Sequence, residues 1–445
     1  MNTANFQRPV ARLASGLLLA LGGLALTVAS AHAASPANPG FDVEAATRLW
    51  LDTLQGPARA RSDAYFEGGY WLPLWGTLIA LAIDLVILRL RISAAIRDLA
   101  VHLVRRRSLA VALTALLYAL LGTALTLPWT IYTGYFREKQ YGLMNMSFGG
   151  WLGEQAIEFA ISLVLMTLLI VIVYAVIRRF PKTWWVLGTG VIALFMVFVM
   201  ALSPVYVAPL FNTYTELPQG PVRERIVAMA KAHQIPAEHI YLFDASKQSK
   251  RISANVSGVG PTIRISLNDN LLNRSTPDEI AAVMGHEMGH YVLGHTWRNV
   301  IFITALAALM LFATSRIAPA LLARFGKSWG VKELADPASL PVLSICLSVL
   351  SLLATPALNT LIRVDESEAD AFGLDVAREP DGFASIAMKL SEYRKIEPGP
   401  IEEALFFDHP SGETRVRMAM QWKKDHVPDA KMFHPAPLPQ TFGKE

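Results

Sequence analysis

His286 and His290 stand four residues apart, with Glu287 directly after the first. On a helix that spacing projects both imidazoles from one face about a turn apart, where their nitrogens can hold one tetrahedral zinc ion. Glu287 can then accept a proton from an attacking water and pass it to a leaving amine, the role this H-E-x-x-H spacing gives a glutamate in peptide hydrolysis. A catalytic zinc takes three protein ligands and keeps a fourth position open, so one ligand is still missing. The stretch Arg363-Val364-Asp365-Glu366-Ser367-Glu368-Ala369-Asp370 can provide it. Glu366 and Asp370 share a helix face: Glu366 can be the third ligand, and Asp370 can accept the N–H of a ligating histidine and fix its tautomer. Read bare, the same acidic run is also a solvated helix start favoured by the helix dipole. Glu368 points elsewhere on that helix, and Asp365 is out of register with the pair. The expected cofactor is one Zn2+ per chain.

These groups need elements to hold them. Thr276-Pro277-Asp278-Glu279 predicts a helix start, with Thr276 as N-cap, Pro277 at the first helical position and Glu279 closing a capping box. Gly285 and Gly289 leave that helix a slim face for a close neighbour. Upstream, Val222 to His233 has helical periodicity, while Ile240 to Phe243 and Thr262 to Leu267 read as strands. Gly258-Val259-Gly260-Pro261 is the expected turn before the second strand.

The 445 residues are 53% hydrophobic and 17% charged, with a mean hydropathy of +0.36, which points to a polytopic membrane protein. Six runs, near 71–90, 109–133, 156–177, 184–207, 299–317 and 340–361, each reach the ~20 apolar residues a span requires. Residues 1–34 combine Arg8 and Arg12, an apolar stretch and Ala31-His32-Ala33, and read as a signal peptide or a first membrane helix. The prolines and glycines between Pro36 and Pro57 make 35–70 an expected extramembrane loop. The chain then divides into four spans in 71–207, a peptidase segment in 208–298, two spans in 299–361, and a second peptidase segment with a polar tail in 362–445. Asp84 reads as either a charge facing a watery interior or one snorkelling to an interface, and Trp71, Trp75, Trp184 and Trp185 as interfacial anchors. Cys346, the lone cysteine, reads as a small buried hydrophobe.

The net charge of +4 does not argue for nucleic acid, because the basic residues cluster beside the apolar runs. Arg89, Arg91, Arg97, Arg105, Arg106, Arg107, Arg178, Arg179, Lys182, Arg316, Arg324, Lys327 and Lys332 fall on one side of the alternating spans. Only Arg48, Arg59, Arg61, Arg137 and Lys139 fall on the other. The positive-inside rule makes the first side cytoplasmic and puts both peptidase segments across the membrane, in the periplasm of a bacterial inner membrane.

Gly285-His286-Glu287-Met288-Gly289-His290 with Gly294-His295, the Arg363 to Asp370 run, and His409-Pro410 with Arg415 together resemble the type I CAAX prenyl endopeptidases. Leu127-Pro128-Trp129, Arg137-Glu138-Lys139-Gln140-Tyr141-Gly142, Ala208-Pro209-Leu210-Phe211 and Leu217-Pro218 extend the likeness over roughly residues 65–420. That family comprises integral-membrane zinc proteases that cut prenylated C-terminal tripeptides. The resemblance implies a mainly α polytopic protein, a barrel of six membrane helices around a chamber, capped by a gluzincin-like peptidase domain with a small β-sheet. It implies His286, His290 and Glu366 as ligands, Glu287 as base, Asp370 and Arg363 behind the ligands, and His409 and Arg415 along the cleft. It also implies that Ser253, Ala254 and Asn255 lie on a strand pairing with substrate backbone, although family members usually carry Asn-Ala there.

The expected activity is zinc-dependent endoproteolysis of membrane-associated polypeptides, whether lipidated in the CAAX manner or misfolded. The alternatives are a membrane quality-control protease with no prenyl preference, and a non-catalytic transporter or binding protein with a structural metal. A transporter predicts paired broken helices at mid-membrane, and the spans show no repeat. Expected partners are a peptide or protein substrate and the lipid bilayer, without nucleic acid; the sequence leaves the oligomeric state open.

Overall fold

The structure is a computed structural model describing residues 37–236, 239–258 and 260–438. The expected signal or first helix in 1–34 lies outside the described residues. Helix α1 (Val43–Leu51) is N-capped by Asp42, whose carboxylate accepts from Ala45 N. Gly56, at φ 61°, and Pro57 then open α2 (Gly56–Arg89). The stretch expected to be a loop is therefore largely helical. Its turn-forming residues sit at helix starts, where proline's missing N–H costs nothing.

The chain continues through α3 (Ile92–Leu103), α4 (Arg107–Ile131), a π-helical turn into α5 (Arg137–Gln140), α6 (Phe148–Arg179) and α7 (Trp184–Leu202). After the sheet-bearing segment come α8 (Pro221–Ala232), α9 (Asp269–Arg274), α10 (Pro277–Val292), α11 (His295–Trp329) and α12 (Leu340–Ala377). The last are α13 (Pro380–Leu390), α14 (Pro400–Phe406) and α15 (Gly412–His426). Among the described residues, six stretches are long and apolar enough to cross a membrane: Gly56–Arg89, Arg107–Gln140, Phe148–Arg179, Trp184–Leu210, His295–Trp329 and Pro337–Ala377. They run well past the apolar segments that mark them. At 1.5 Å per residue the 38 residues of α12 extend about 57 Å, nearly twice the hydrocarbon thickness. Pro73, Pro128, Pro319 and Pro356 lie inside these helices without breaking them.

Each long helix packs on the next, in the order α2, α4, α6, α7, α11 and α12, and α12 returns to α2, closing a ring. Only 6% of the most apolar window of Trp184–Leu210 is buried, so most of that helix's apolar surface stays accessible. Polar groups lock the ring where apolar packing alone would let helices slide. Tyr118 Oη donates to the buried Asp84 at 2.5 Å, and Tyr174 pairs with Ser339 at 2.8 Å. Asp84 is thus neither snorkelling nor facing water; a helix-helix hydrogen bond satisfies it. Trp184, 2% exposed, belongs to the packed interior and not to an interfacial belt. At this end of the ring Arg97 of α3 pairs with Asp336, which caps the turn before α12.

The opposite end carries a four-stranded sheet of β1 (Tyr214–Glu216), β2 (Ile240–Phe243), β3 (Ala254–Ser257) and β4 (Arg264–Asn268), ordered β1-β2-β4-β3. β2 and β4 are parallel, while β1 and β3 pair antiparallel at the two edges. Both edge strands are short and lack an unbroken apolar alternation, so periodicity alone does not reveal them. Ile240, Ile265 and Leu267 on one sheet face bury against Ile226 of α8, Leu271 of α9 and Ile280, Met284 and Met288 of α10.

Candidate metal centre

Helix α10 begins where the capping signature places it. Thr276 Oγ1 accepts from Glu279 N at 3.3 Å, and Glu279 returns a carboxylate oxygen to Thr276 N at 2.8 Å. Glu279 also takes hydrogen bonds from Ser385 and Lys389 of α13, which fix the direction of the helix. A cap of this kind contributes about 0.5–2 kcal/mol. The helix ends at Gly294, whose φ of 70° turns the chain sharply into α11 and brings His295 back beside His290.

The slim face of α10 meets α12. A Cβ on Gly285 would lie 2.9 Å from Gly373 O, and one on Gly373 would lie 2.7 Å from His286 N. Gly289 crosses Ala369 equally closely, at 3.0 Å to its Cα. Glycine on both sides lets the two backbones touch, and Glu366, one turn below Asp370, reaches the histidines. The acidic run is accordingly no helix start; it lies late in the uninterrupted α12.

His286 Nε2, His290 Nε2 and the Glu366 carboxylate converge. The two nitrogens are 3.1 Å apart, and Glu366 oxygens lie 3.3 and 3.4 Å from them. Zinc with bonds of about 2.0–2.2 Å in tetrahedral geometry requires ligand separations of about 3.3–3.6 Å; both nitrogen–oxygen distances meet this, and the nitrogens, 3.1 Å apart, need to part by only about 0.2 Å to hold the ion. The tautomers fit as well. Asp370 Oδ1 accepts from His286 Nδ1 at 2.7 Å, which leaves His286 Nε2 as a lone pair facing inward. Glu368 accepts from His295 Nε2 at 3.2 Å, so His295 Nδ1 accepts from His290 Nδ1 at 2.9 Å and His290 Nε2 is likewise left to ligate. Burial would push the His286 pKa down, but hydrogen bonds and charge from Asp370 and Glu366 outweigh it and raise it to about 10. The nest favours a cation.

Arg415, 7% exposed, grips Asp370 with two parallel bonds, Nε to Oδ2 at 2.9 Å and Nη2 to Oδ1 at 2.6 Å. It reaches the donors through Asp370 while also lining the cavity. Burial depresses its tendency to stay charged, but Asp370 more than restores it. His409 Nε2 stands 3.3 Å from Glu366, and its Nδ1 donates to Asp408 at 2.8 Å. Arg363 is not behind the ligands. It donates to the carbonyls of Glu403 and Phe407, at 2.9 and 2.5 Å, and so ties the end of α14 and the approach to His409 to α12. Although i and i+3 share a helix face, its long side chain is drawn to these carbonyls and not to the metal nest.

Glu287, Glu366, His286, His409 and Arg415 line a cavity of about 220 Å3 together with Ser253 and Ala254. Asn255 is absent from that lining, since strand alternation turns its side chain to the face opposite Ala254. Among the described residues β3 pairs only with β4, so its other edge has no strand partner, and Ser253 and Ala254 bring its start to the cavity. Burial pushes the Glu287 carboxyl pKa up.

Sequence reasoning set Glu368 aside and gave His295 no role, yet together they fix the His290 tautomer. Arg298 holds that arrangement, donating to Glu368 at 2.8 Å and to Asp365. The available signal was the Gly294-His295 pair; its partner lies 73 residues away on another helix.

The profile described as Peptidase family M48 matches residues 216–423, and that described as CAAX prenyl protease N-terminal, five membrane helices, matches 54–213. The chain is 28% identical over 313 residues to an uncharacterized metalloprotease, YhfN, of Bacillus subtilis, covering 70% of this chain and 73% of that protein. It is 28% identical over 372 residues to the human CAAX prenyl protease 1 homolog, covering 71% and 74%. The crystal structure of Ste24p from S. mikatae matches the fold with a TM-score of 0.70 at 20% identity, covering 85% of this chain and 96% of that one.

Proposed function

We infer from the two profiles matching residues 216–423 and 54–213 that this chain works as an M48-type peptidase; it is a multi-pass membrane zinc metalloendopeptidase, and from that premise its residues divide the work as follows. His286, His290 and Glu366 hold one zinc ion per chain, and Glu287 is the general base. The observation that carries this reading is the single cavity in which the three converging donors, Glu287 and the free edge of β3 meet.

An extended polypeptide adds to the open edge of β3 through its backbone, which requires no particular side chain at Asn255. Its scissile carbonyl then lies over the donors and beside Glu287. Bound zinc supplies Lewis-acid polarisation of that carbonyl and acidifies a water molecule. A Glu287 carboxylate oxygen takes the proton of the attacking water and returns it to the leaving nitrogen. Its upward-shifted pKa suits a group that must do both at neutral pH. His409 turns Nε2 towards the substrate oxygen, and with Nδ1–H held by Asp408 it donates from Nε2 to the developing charge in its doubly protonated form. Arg415 is a positioning residue, since Nε and Nη2 are both committed to Asp370.

The ring of long apolar helices beside the cavity, and relatives described as CAAX prenyl proteases, support a substrate held in the membrane by a lipid chain near the cleaved bond. The distribution of basic residues supports a periplasmic metal-bearing end in a bacterial inner membrane. The test uses the purified, reconstituted enzyme on one peptide sequence with and without a prenyl group. A prenyl-dependent rise in kcat/KM is expected. Equal rates for the two peptides would overturn the lipid preference and leave the peptidase intact. For orientation, Ile401→Cys, at an exposed position on the metal-bearing end, should react with a membrane-impermeant maleimide in cells with a permeabilised outer membrane; labelling only after lysis refutes it.

A further inference from the structure

At the end of the ring away from the metal centre, a cavity of about 570 Å3 opens between α4, α6, α7, α11 and the turn before α12. That volume falls in the ~300–1,000 Å3 range of small-molecule sites. Its position fixes its depth. Arg107 is the first residue of α4, Arg178 lies one residue from the end of α6, and Trp184 opens α7, so all three sit where membrane-crossing helices leave the hydrocarbon. Arg107, Arg178 and Lys332 line it against one carboxylate, Glu333.

These cations lack the partners that their neighbours have. At the same end Arg97 pairs with Asp336, and Arg91 donates to the carbonyl of Ser328. Among the described residues, no carboxylate comes within 4.0 Å of the side-chain nitrogens of Arg107, Arg178 or Lys332, although the Lys332 backbone N–H donates to Asp336. Arg178 Nη1 is buried and has no hydrogen-bond acceptor at all. A buried guanidinium nitrogen without an acceptor carries its desolvation cost uncompensated, unless an anion that is not part of the chain supplies the acceptor. The acceptor must be compact, anionic and rich in oxygens, and a guanidinium fork matches phosphate in this respect. Basic pockets between membrane helices at headgroup depth are suited to that chemistry.

We propose that this cavity binds a phosphate group, and that its source is the headgroup of an anionic phospholipid in the leaflet opposite the metal centre. The Arg178 guanidinium grips the phosphate from within, Arg107 and Lys332 close over it from the rim, and Trp184 forms the apolar floor.

The test reconstitutes the full-length enzyme in phosphatidylcholine nanodiscs with and without phosphatidylglycerol. Phospholipid retained per chain after delipidation is counted by native mass spectrometry. The wild type should keep one phosphatidylglycerol in preference to phosphatidylcholine. Arg178→Gln should lower that preference at least tenfold. Arg107→Gln, at an exposed position, should lower it severalfold, while Arg105→Gln, an equal charge change outside the cavity, should leave it unchanged. Millimolar inorganic phosphate should not displace the lipid; if phosphate displaces it and is itself retained in a cavity-dependent manner, the anion chemistry stands and the lipid source is overturned. Equal losses in the Arg105 and Arg107 variants, or no retained anionic lipid in the wild type, would overturn the site.

Discussion

Gly373→Ala is the sharpest perturbation that the packing of α10 on α12 offers. The new Cβ would lie 2.7 Å from His286 N, against the ~3.5–4.0 Å of an ordinary contact, so the helices must part by about 0.8–1.3 Å. A metal site tolerates about ±0.2 Å in its ligand distances. Because two ligands ride on α10 and the third on α12, the separation falls directly on the donor set, in which the nitrogens are 3.1 Å apart and Glu366 places Oε2 3.3 Å from His286 and Oε1 3.4 Å from His290. Overpacking of this size costs about 1–3 kcal/mol. If most of that falls on the metal-bound state, zinc affinity drops about 5- to 150-fold. The assay is zinc competition against a fluorescent chelator, with cleavage of a reporter peptide at saturating zinc and metal-free melting measured in parallel. Gly190→Ala is the control, since a Cβ there meets nothing within 4 Å. Wild-type zinc affinity in Gly373→Ala, or an equal loss in Gly190→Ala, would refute the argument that backbone contact sets the site.

Four shorter expectations follow from the same geometry. Glu287→Gln should keep its zinc and lose cleavage by at least about 100-fold, in line with removal of a general base; a variant that still turns over near the wild-type rate would remove Glu287 from that role. His295→Phe, which takes away the acceptor for His290 Nδ1, should weaken zinc binding about 10- to 100-fold, whereas His295→Gln, able to accept there, should recover part of it. Thr276→Ala should lower stability by about 0.5–2 kcal/mol in denaturant titration, with little change in kcat. Stripping zinc with a chelator should lower the melting temperature, and free zinc at about 100 times its Kd should restore about 2.7 kcal/mol; an unchanged melting curve would mean that the donors bind no ion in the folded state.

What the sequence disclosed here followed from whether the partner was near in the chain. Thr276, Pro277 and Glu279 lie within one helical turn of one another, and the capping box they spell is the one that forms. His286 to His290 is equally local. Glu366 and Asp370 were found because their spacing of four is a helix period, even though the helix itself extends far beyond the acidic run. Arg363 shows the limit of that logic: it shares the motif with Glu366, but its acceptors are carbonyls 40 and 44 residues downstream. The Gly285–Gly373 contact was half visible, since the slim face of α10 could be read while the glycine opposite it could not. Strand β1 escaped because at three residues it is too short to show a period, and β3, which lacks an apolar alternation, was expected only from the family resemblance. Helix α1 escaped because its flanking prolines and glycines read as a loop.

Glu366 rides on a helix rooted in the bilayer. From Leu340 to Glu366 the helix runs about 39 Å, and over that arm a swing of about one and a half degrees displaces the far end by about 1 Å. Spanning helices answer a thicker or thinner bilayer by tilting, so membrane thickness acts in mechanical series with the third ligand, and the lipids around this enzyme help set the tension on its active site.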